Sequence, residues 1–184
     1  MIDSRVDNAS PLLRARIAGG LYLLNIILGV ASISFLHGRL ASAAYVLASS
    51  CNFAVTLLLY GIFKPVSKRL SLLAAFFGLL VFVLGTPQWH PHGVDVAMIF
   101  FSSYCLLIGY LIFRSEFLPR ILGALMALAG LAWLTFLIPW LAHSLSPYNM
   151  AAGAGSQIAL TLWLLVFGVN AQRWKKQAGA TFRQ

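Results

Sequence analysis

Residues 41–63 read Ala-Ser-Ala-Ala-Tyr-Val-Leu-Ala-Ser-Ser-Cys-Asn-Phe-Ala-Val-Thr-Leu-Leu-Leu-Tyr-Gly-Ile-Phe, without one charged side chain. As an α-helix at about 1.5 Å per residue the run is roughly 35 Å long, and a bilayer's hydrocarbon core is about 30 Å thick. Five more apolar runs flank it, two of them carrying one charge at their start (Arg16, Asp95): Ala15–Leu36, Leu70–Thr86, Asp95–Phe113, Ile121–His143 and Ala151–Asn170. The connections between them are too short for a soluble domain. The chain of 184 residues is 60% hydrophobic and 9% charged, where a soluble domain carries about 25% charged residues. These proportions exclude a soluble enzyme, a disordered tail and a disulfide-stapled secreted domain. They predict an all-α membrane protein: one integral domain over residues 1–184, built as a bundle of six transmembrane helices. Each span must close its backbone hydrogen bonds as a helix and turn its polar face toward neighbours.

The 13 basic residues fix the expected orientation. Arg5 and Arg14 precede the first run and Arg16 opens it; Lys64, Lys68 and Arg69 lie between the second and third. Arg114 and Arg120 lie between the fourth and fifth, and Arg173, Lys175, Lys176 and Arg183 follow the sixth. On an alternating path only Arg39 falls on the opposite side. The positive-inside rule then puts both termini in the cytoplasm. A net charge of +9 distributed this way points to anionic membrane lipids as partners rather than to nucleic acid. The first apolar run is longer than a signal-peptide core and no small-x-small cleavage site follows it, so a retained span is expected. Cys51 and Cys105 fall near mid-membrane without CxxC spacing, which suits small buried apolar residues rather than a disulfide or a metal site.

Two features bear on packing. Small residues recur at every fourth position or nearly so in the fifth run (Gly123, Ala127, Gly130) and in the sixth (Ala151, Gly155, Ala159), spacing that lets helix backbones approach. Pro139 is expected to kink the fifth span. A weak repeat is also visible: Tyr60-Gly61-Ile62-Phe63-Lys64 and Tyr110-Leu111-Ile112-Phe113-Arg114 end two spans 50 residues apart.

No P-loop, GxGxxG, HExxH or GxSxG motif occurs, so no reaction and no cofactor is named by the sequence. No paired carboxylate falls inside a span, which argues against a proton-driven carrier. A polar layer near mid-membrane stands out instead. The first span places Tyr22, Asn25, Gly29 and Ser32 on one face, and the second places Tyr45, Ser49, Asn52, Thr56 and Tyr60 on one face. The fourth offers Ser102, Tyr104 and Cys105, and the sixth Gln157 and Thr161. Such faces either bond helix to helix or line a cavity. All four histidines lie toward the other membrane face: His37, His90, His92 and His143, with Trp89, Asp95 and Trp140 nearby. They serve either as interfacial residues or as an acid–base site; a metal site would need further ligands and a second shell, so none is assigned.

Three short blocks carry a family resemblance. Arg16-Ile17-Ala18-Gly19-Gly20-Leu21-Tyr22-Leu23, Tyr60-Gly61-Ile62-Phe63-Lys64-Pro65-Val66 and Phe117-Leu118-Pro119-Arg120-Ile121-Leu122-Gly123 resemble blocks of a bacterial family known as domain of unknown function 4386. The resemblance runs from about residue 11 to residue 170. It implies a small multi-pass protein of the bacterial cytoplasmic membrane and brings no established reaction.

Three functions are therefore expected in order. The first is binding of a small lipophilic molecule between spans one, two, four and six, with Tyr22, Asn25, Ser49, Asn52, Ser102, Tyr104 and Gln157 lining the cavity. The second is a membrane enzyme of isomerase or cyclase type, with Asp95, His90 and His92 as acid and base. The third is a passive transporter or an accessory subunit. Oligomeric state is not legible in the residues.

Overall fold

The computed structural model describes residues 11–85 and 96–181. Among these residues the chain is helical throughout, with no strand. The elements are α1 (Pro11–Ser34), α2 (Gly38–Phe63), α3 (Lys68–Gly85), α4 (Val96–Arg114), α5 (Arg120–Leu134), a 3₁₀ turn (Thr135–Leu137), α6 (Pro139–Leu145), α7 (Tyr148–Val166) and α8 (Ala171–Thr181). Five of them are long and apolar enough to cross a membrane: α1, α2, α4, α5 with its 3₁₀ turn, and α7. Helix α3, 18 residues long, occupies the remaining predicted run. Its stretch from Leu70 to Leu84 carries no charge.

The long helices form a closed ring. Each packs on its neighbour in the chain, from α1 to α5, and α7 then packs on both α5 and α1. Outward faces are apolar: Ile27, Val30, Leu57, Leu72, Val83, Leu131, Leu162 and Val166 are all exposed. In water such a belt would be a very large apolar patch; against lipid tails it carries no penalty. The architecture is that of a multi-pass membrane protein.

Helix association in lipid depends on close packing, and small residues provide it at the seams. On α5 the predicted ridge is used as read: Gly123 lies against the Gly109 carbonyl of α4, and Gly130 lies against Leu106 and the Ser102 carbonyl. The α7 ridge is not. Ala151 and Gly155 are exposed, and nothing lies within 4 Å of a side chain built at Gly155. The face one step round takes its place, with Gly153 under the Trp133 ring of α5.

The expected fifth span, Ile121–His143, is two helices rather than one kinked helix. Pro139 restricts the residue before it, and Ile138 is extended (φ −118°, ψ 99°). Pro139 then starts α6 as its first residue, where a missing N–H costs nothing. Asn149 ties the corner: its Nδ2 donates to Thr135 Oγ1 (3.1 Å) and to the Ala142 carbonyl (3.2 Å).

The sixth span also ends earlier than expected, at Val166. Gly168, in the left-handed region at φ +66°, terminates α7 with its N–H bonded to the Trp163 carbonyl (3.0 Å). The residues beyond, expected as a basic tail, form α8. Asn170 caps it, Oδ1 accepting from the Arg173 N–H at 3.1 Å. Replacing Asn170 with alanine should cost about 1 kcal/mol of stability, measured by thermal unfolding.

Helix α8 lies under the basic end of the ring and satisfies carbonyls that helix ends leave unpaired. Trp174 Nε1 donates to the Ile62 carbonyl (2.8 Å), and Gln177 Nε2 donates to the Arg114 carbonyl (3.3 Å). Gln177 Oε1 accepts from the Glu116 N–H (3.3 Å), and the Asn170 N–H reaches the Phe117 carbonyl (3.2 Å). Arg16 reaches the Val166 carbonyl from α1 at 3.5 Å. Both chain ends of the ring, the α2–α3 turn and the α4–α5 loop therefore share one end. That end holds every described basic residue except Arg39.

Candidate functional site

Polar side chains converge inside the ring. The interior takes Tyr22 from α1, Asn52 and Thr56 from α2, Ser71 from α3, Ser102 and Tyr104 from α4, and Ser156, Gln157 and Thr161 from α7, all buried. They are interleaved with Val55, Leu59, Cys105, Ile108, Leu160 and Leu164. Burial here follows from helical spacing. Asn52, Val55, Thr56 and Leu59 sit three or four residues apart on one face of α2, and Gln157, Leu160, Thr161 and Leu164 do the same on α7.

Some of these groups satisfy one another or their own helix. The Tyr22 hydroxyl donates to Gln157 Oε1 at 3.3 Å, tying α1 to α7. Thr56 bonds back to the Asn52 carbonyl (2.9 Å), and Ser102 to the Met98 and Ile99 carbonyls (both 2.9 Å). Ser156 bonds back to the Ala152 carbonyl at 2.6 Å. Others have no well-aligned hydrogen-bond partner among the described residues: Asn52 Oδ1, Ser71 Oγ, Tyr104 Oη, Trp133 Nε1, Gln157 Nε2 and Thr161 Oγ1; of these the Tyr104 hydroxyl lies close enough to Thr56 to interact with it. These six atoms come from α2, α3, α4, α5 and α7. Each such group costs about 1–3 kcal/mol when buried unpaired.

Thr56, Tyr60, Ser71, Ala75 and Tyr104 line one cleft between α2, α3 and α4. It holds about 160 Å³ of space free of atoms, too thinly spread to seat a water molecule. Gly78 of α3 keeps it narrow, because a Cβ there would meet Thr56 at 2.6 Å. The opening thus lies toward α3, one helix round from the expected cavity between the first, second, fourth and sixth spans.

Of the residues picked from sequence, Tyr22, Asn52, Ser102, Tyr104 and Gln157 are inside the ring; Asn25 and Ser49 are half-buried. Tyr22 and Gln157 touch, and Tyr104 borders the cleft. Sequence reasoning did not pick Ser71, which lies one turn past Lys68 and Arg69 at the start of α3 and is followed by no further polar residue on that helix. Asp95, His90 and His92 lie outside the described residues. His37 and His143 are exposed. Among the described residues no three His, Cys, Asp or Glu side chains group as metal ligands.

Residues 83–168 match the family described as a domain of unknown function (DUF4386). The chain thus resembles the DUF4386 family over that segment. The DUF4386 match spans α4 to α7, so it carries Ser102, Tyr104, Gln157 and Thr161 and leaves Tyr22, Asn52 and Thr56 outside. Of the three sequence blocks, Phe117–Gly123 falls within it. An uncharacterized protein of Archaeoglobus fulgidus is 29% identical over 91 residues, covering 45% of this chain and 56% of that relative. No solved structure matches the chain.

Proposed function

We propose that this protein is a six-span protein of the bacterial cytoplasmic membrane that holds a small lipophilic molecule by its polar end inside the ring. Helix α3 counts as the sixth span, and both chain ends lie on the cytoplasmic side. The orientation is supported by the gathering of basic residues at one end of the ring, in keeping with the positive-inside rule. A cysteine placed at Lys175 should react with an impermeant thiol reagent only in inverted vesicles, in a Cys51→Ala/Cys105→Ala background. One placed at Arg39 should react only in right-side-out vesicles. The same labelling side for both would remove the six-span path.

One observation supports the binding proposal: six buried polar atoms from five helices form no well-aligned hydrogen bond with the protein. A carbonyl or hydroxyl on a ligand can meet the Tyr104 and Thr161 hydroxyls and the Gln157 amide, while its apolar part lies against Val55, Leu59 and Ile108. The cleft beside Tyr104 is the entry that the packing favours. It is narrow, so Tyr60 or Tyr104 must rotate to admit a ligand group. Asn25 and Ser49, half-buried on α1 and α2, are the outer members of the set.

The deciding experiment is native mass spectrometry with an absorbance spectrum, on protein purified gently into nanodiscs. A small molecule retained at one per chain supports the proposal. Bulk phospholipid alone, at every lipid composition tried, overturns it.

A further inference from the structure

The basic end of the ring contains a recess that is separate from the interior cluster and independent of the function proposed for it. Arg114, Ser115, Glu116 and Arg120 of the α4–α5 connection and Arg173 of α8 line a space of about 620 Å³. A second space of about 420 Å³ shares Glu116, Leu118, Pro119 and Arg173 with it and continues along Trp163 and Phe167. One end is therefore cationic and the other aromatic. The Trp163 and Phe167 rings lie 4.5 Å apart, and Phe167 is 62% exposed.

Hydrogen bonds across the chain dock α8 against the α4–α5 loop and place one of the recess's cations, Arg173. Gln177 and Asn170 dock α8 onto the α4–α5 loop through three backbone contacts. Arg173 Nη1 donates to the Glu116 carbonyl at 3.3 Å, which aims its guanidinium into the space. Arg114 Nη1 donates to the Tyr110 hydroxyl at 3.3 Å and its guanidinium lies 6.0 Å from that ring. Among the described residues, Arg120 holds no backbone group. Glu116 is the sole acid among the described residues, so the lining carries three guanidiniums against one carboxylate. A planar guanidinium with five N–H groups matches phosphate oxygens in pairs.

We propose that this recess binds a phosphate group, and that the aromatic groove beside it takes the acyl chain of an anionic phospholipid. A phosphodiester would bridge Arg114, Arg120 and Arg173, with Ser115 and Glu116 at its margin. Its chain would leave between Leu118 and Phe167 toward the lipid-facing side of α7. A free phosphate shares the headgroup chemistry and lacks the chain.

The test uses the full chain in detergent with three probes: dioleoylphosphatidylglycerol, dioleoylphosphatidylcholine and inorganic phosphate. Retention is read by native mass spectrometry. The wild type should retain the phosphatidylglycerol over the phosphatidylcholine. Arg120→Gln with Arg173→Gln should lower that retention about tenfold, as expected for two charge-assisted contacts. Lys175→Gln with Lys176→Gln removes the same charge from the exposed face of α8 and should change it by less than about twofold. Arg120→Gln alone should lower it too, which guards against a folding defect from losing the Arg173 contact. Displacement of the lipid by millimolar inorganic phosphate would support the site and assign its ligand to soluble phosphate. Equal losses in the two double variants would show diffuse surface charge and overturn the proposal. So would failure of the wild type to hold any of the three probes.

Discussion

Replacing Gly19 with alanine should open the ring at the seam where α7 returns to α1. A Cβ at Gly19 meets the Leu165 backbone nitrogen at 2.6 Å and the Leu164 carbonyl carbon at 3.0 Å. Both are main-chain atoms, so no side chain can swing away and the two helices must move apart. Overpacking of this kind costs about 1–3 kcal/mol. It also works against the roughly 1 kcal/mol that alanine gains over glycine in a helix interior. The separation would pull Tyr22 from Gln157 as well, leaving Gln157 Oε1 without its donor. The control is Gly155→Ala, where nothing lies within 4 Å of the added carbon. That variant should be unchanged or slightly more stable. Thermal unfolding of both variants in one detergent compares them directly. Equal stabilities would mean that α1 and α7 are not in backbone contact and that the ring is open.

These two glycines also mark how far the sequence could be read. Apolar runs of helical length with at most one terminal charge decide the fold, because lipid imposes one backbone solution on any such run. Six runs, with basic residues at alternate connections, were therefore legible. Which small stripe faces a neighbour was not. Gly123–Ala127–Gly130 and Ala151–Gly155–Ala159 look alike on paper, yet the first lies against α4, while in the second Ala151 and Gly155 face outward and only Ala159 packs against the core. In lipid both faces of a helix are apolar, so hydropathy gives no inward direction. Polar residues do give one. That is why Asn52, Tyr104 and Gln157 were found, while Asn25 and Ser49, nearer the edges of their faces, are half-buried. Helix α8 was missed for the opposite reason. Its composition is too polar for a span, and only the Asn170 cap and the Trp174–Ala178 spacing announce it. The pairing of Arg173 with the α4–α5 loop depends on contacts 57 residues apart, which no local pattern encodes.

Thr161→Val should change the sign of its effect with the occupancy of the ring. Thr161 is fully buried on α7 and its hydroxyl has no partner among the described residues. Valine keeps nearly the same shape and removes the hydroxyl. With the interior stripped of small molecules, losing an unpaired buried hydroxyl should stabilise the protein by about 1–3 kcal/mol. With a ligand group bonded to that hydroxyl, the same change removes a bond and leaves the ligand's polar atom unpaired. Retention should then fall roughly tenfold, equivalent to about 1.4 kcal/mol, and the thermal stabilisation that the ligand confers should shrink with it. Gln157→Leu is a poorer probe, since it also orphans the Tyr22 hydroxyl and destabilises the protein in either state. Asn52→Leu serves as the partner variant on α2, where Oδ1 is likewise unpaired. Unfolding of Thr161→Val is measured twice, on gently purified and on exhaustively detergent-washed protein. Opposite signs place a ligand at α7. Stabilisation in both preparations would mean that nothing bonds the Thr161 hydroxyl, and that the polar interior serves only to hold the helices together.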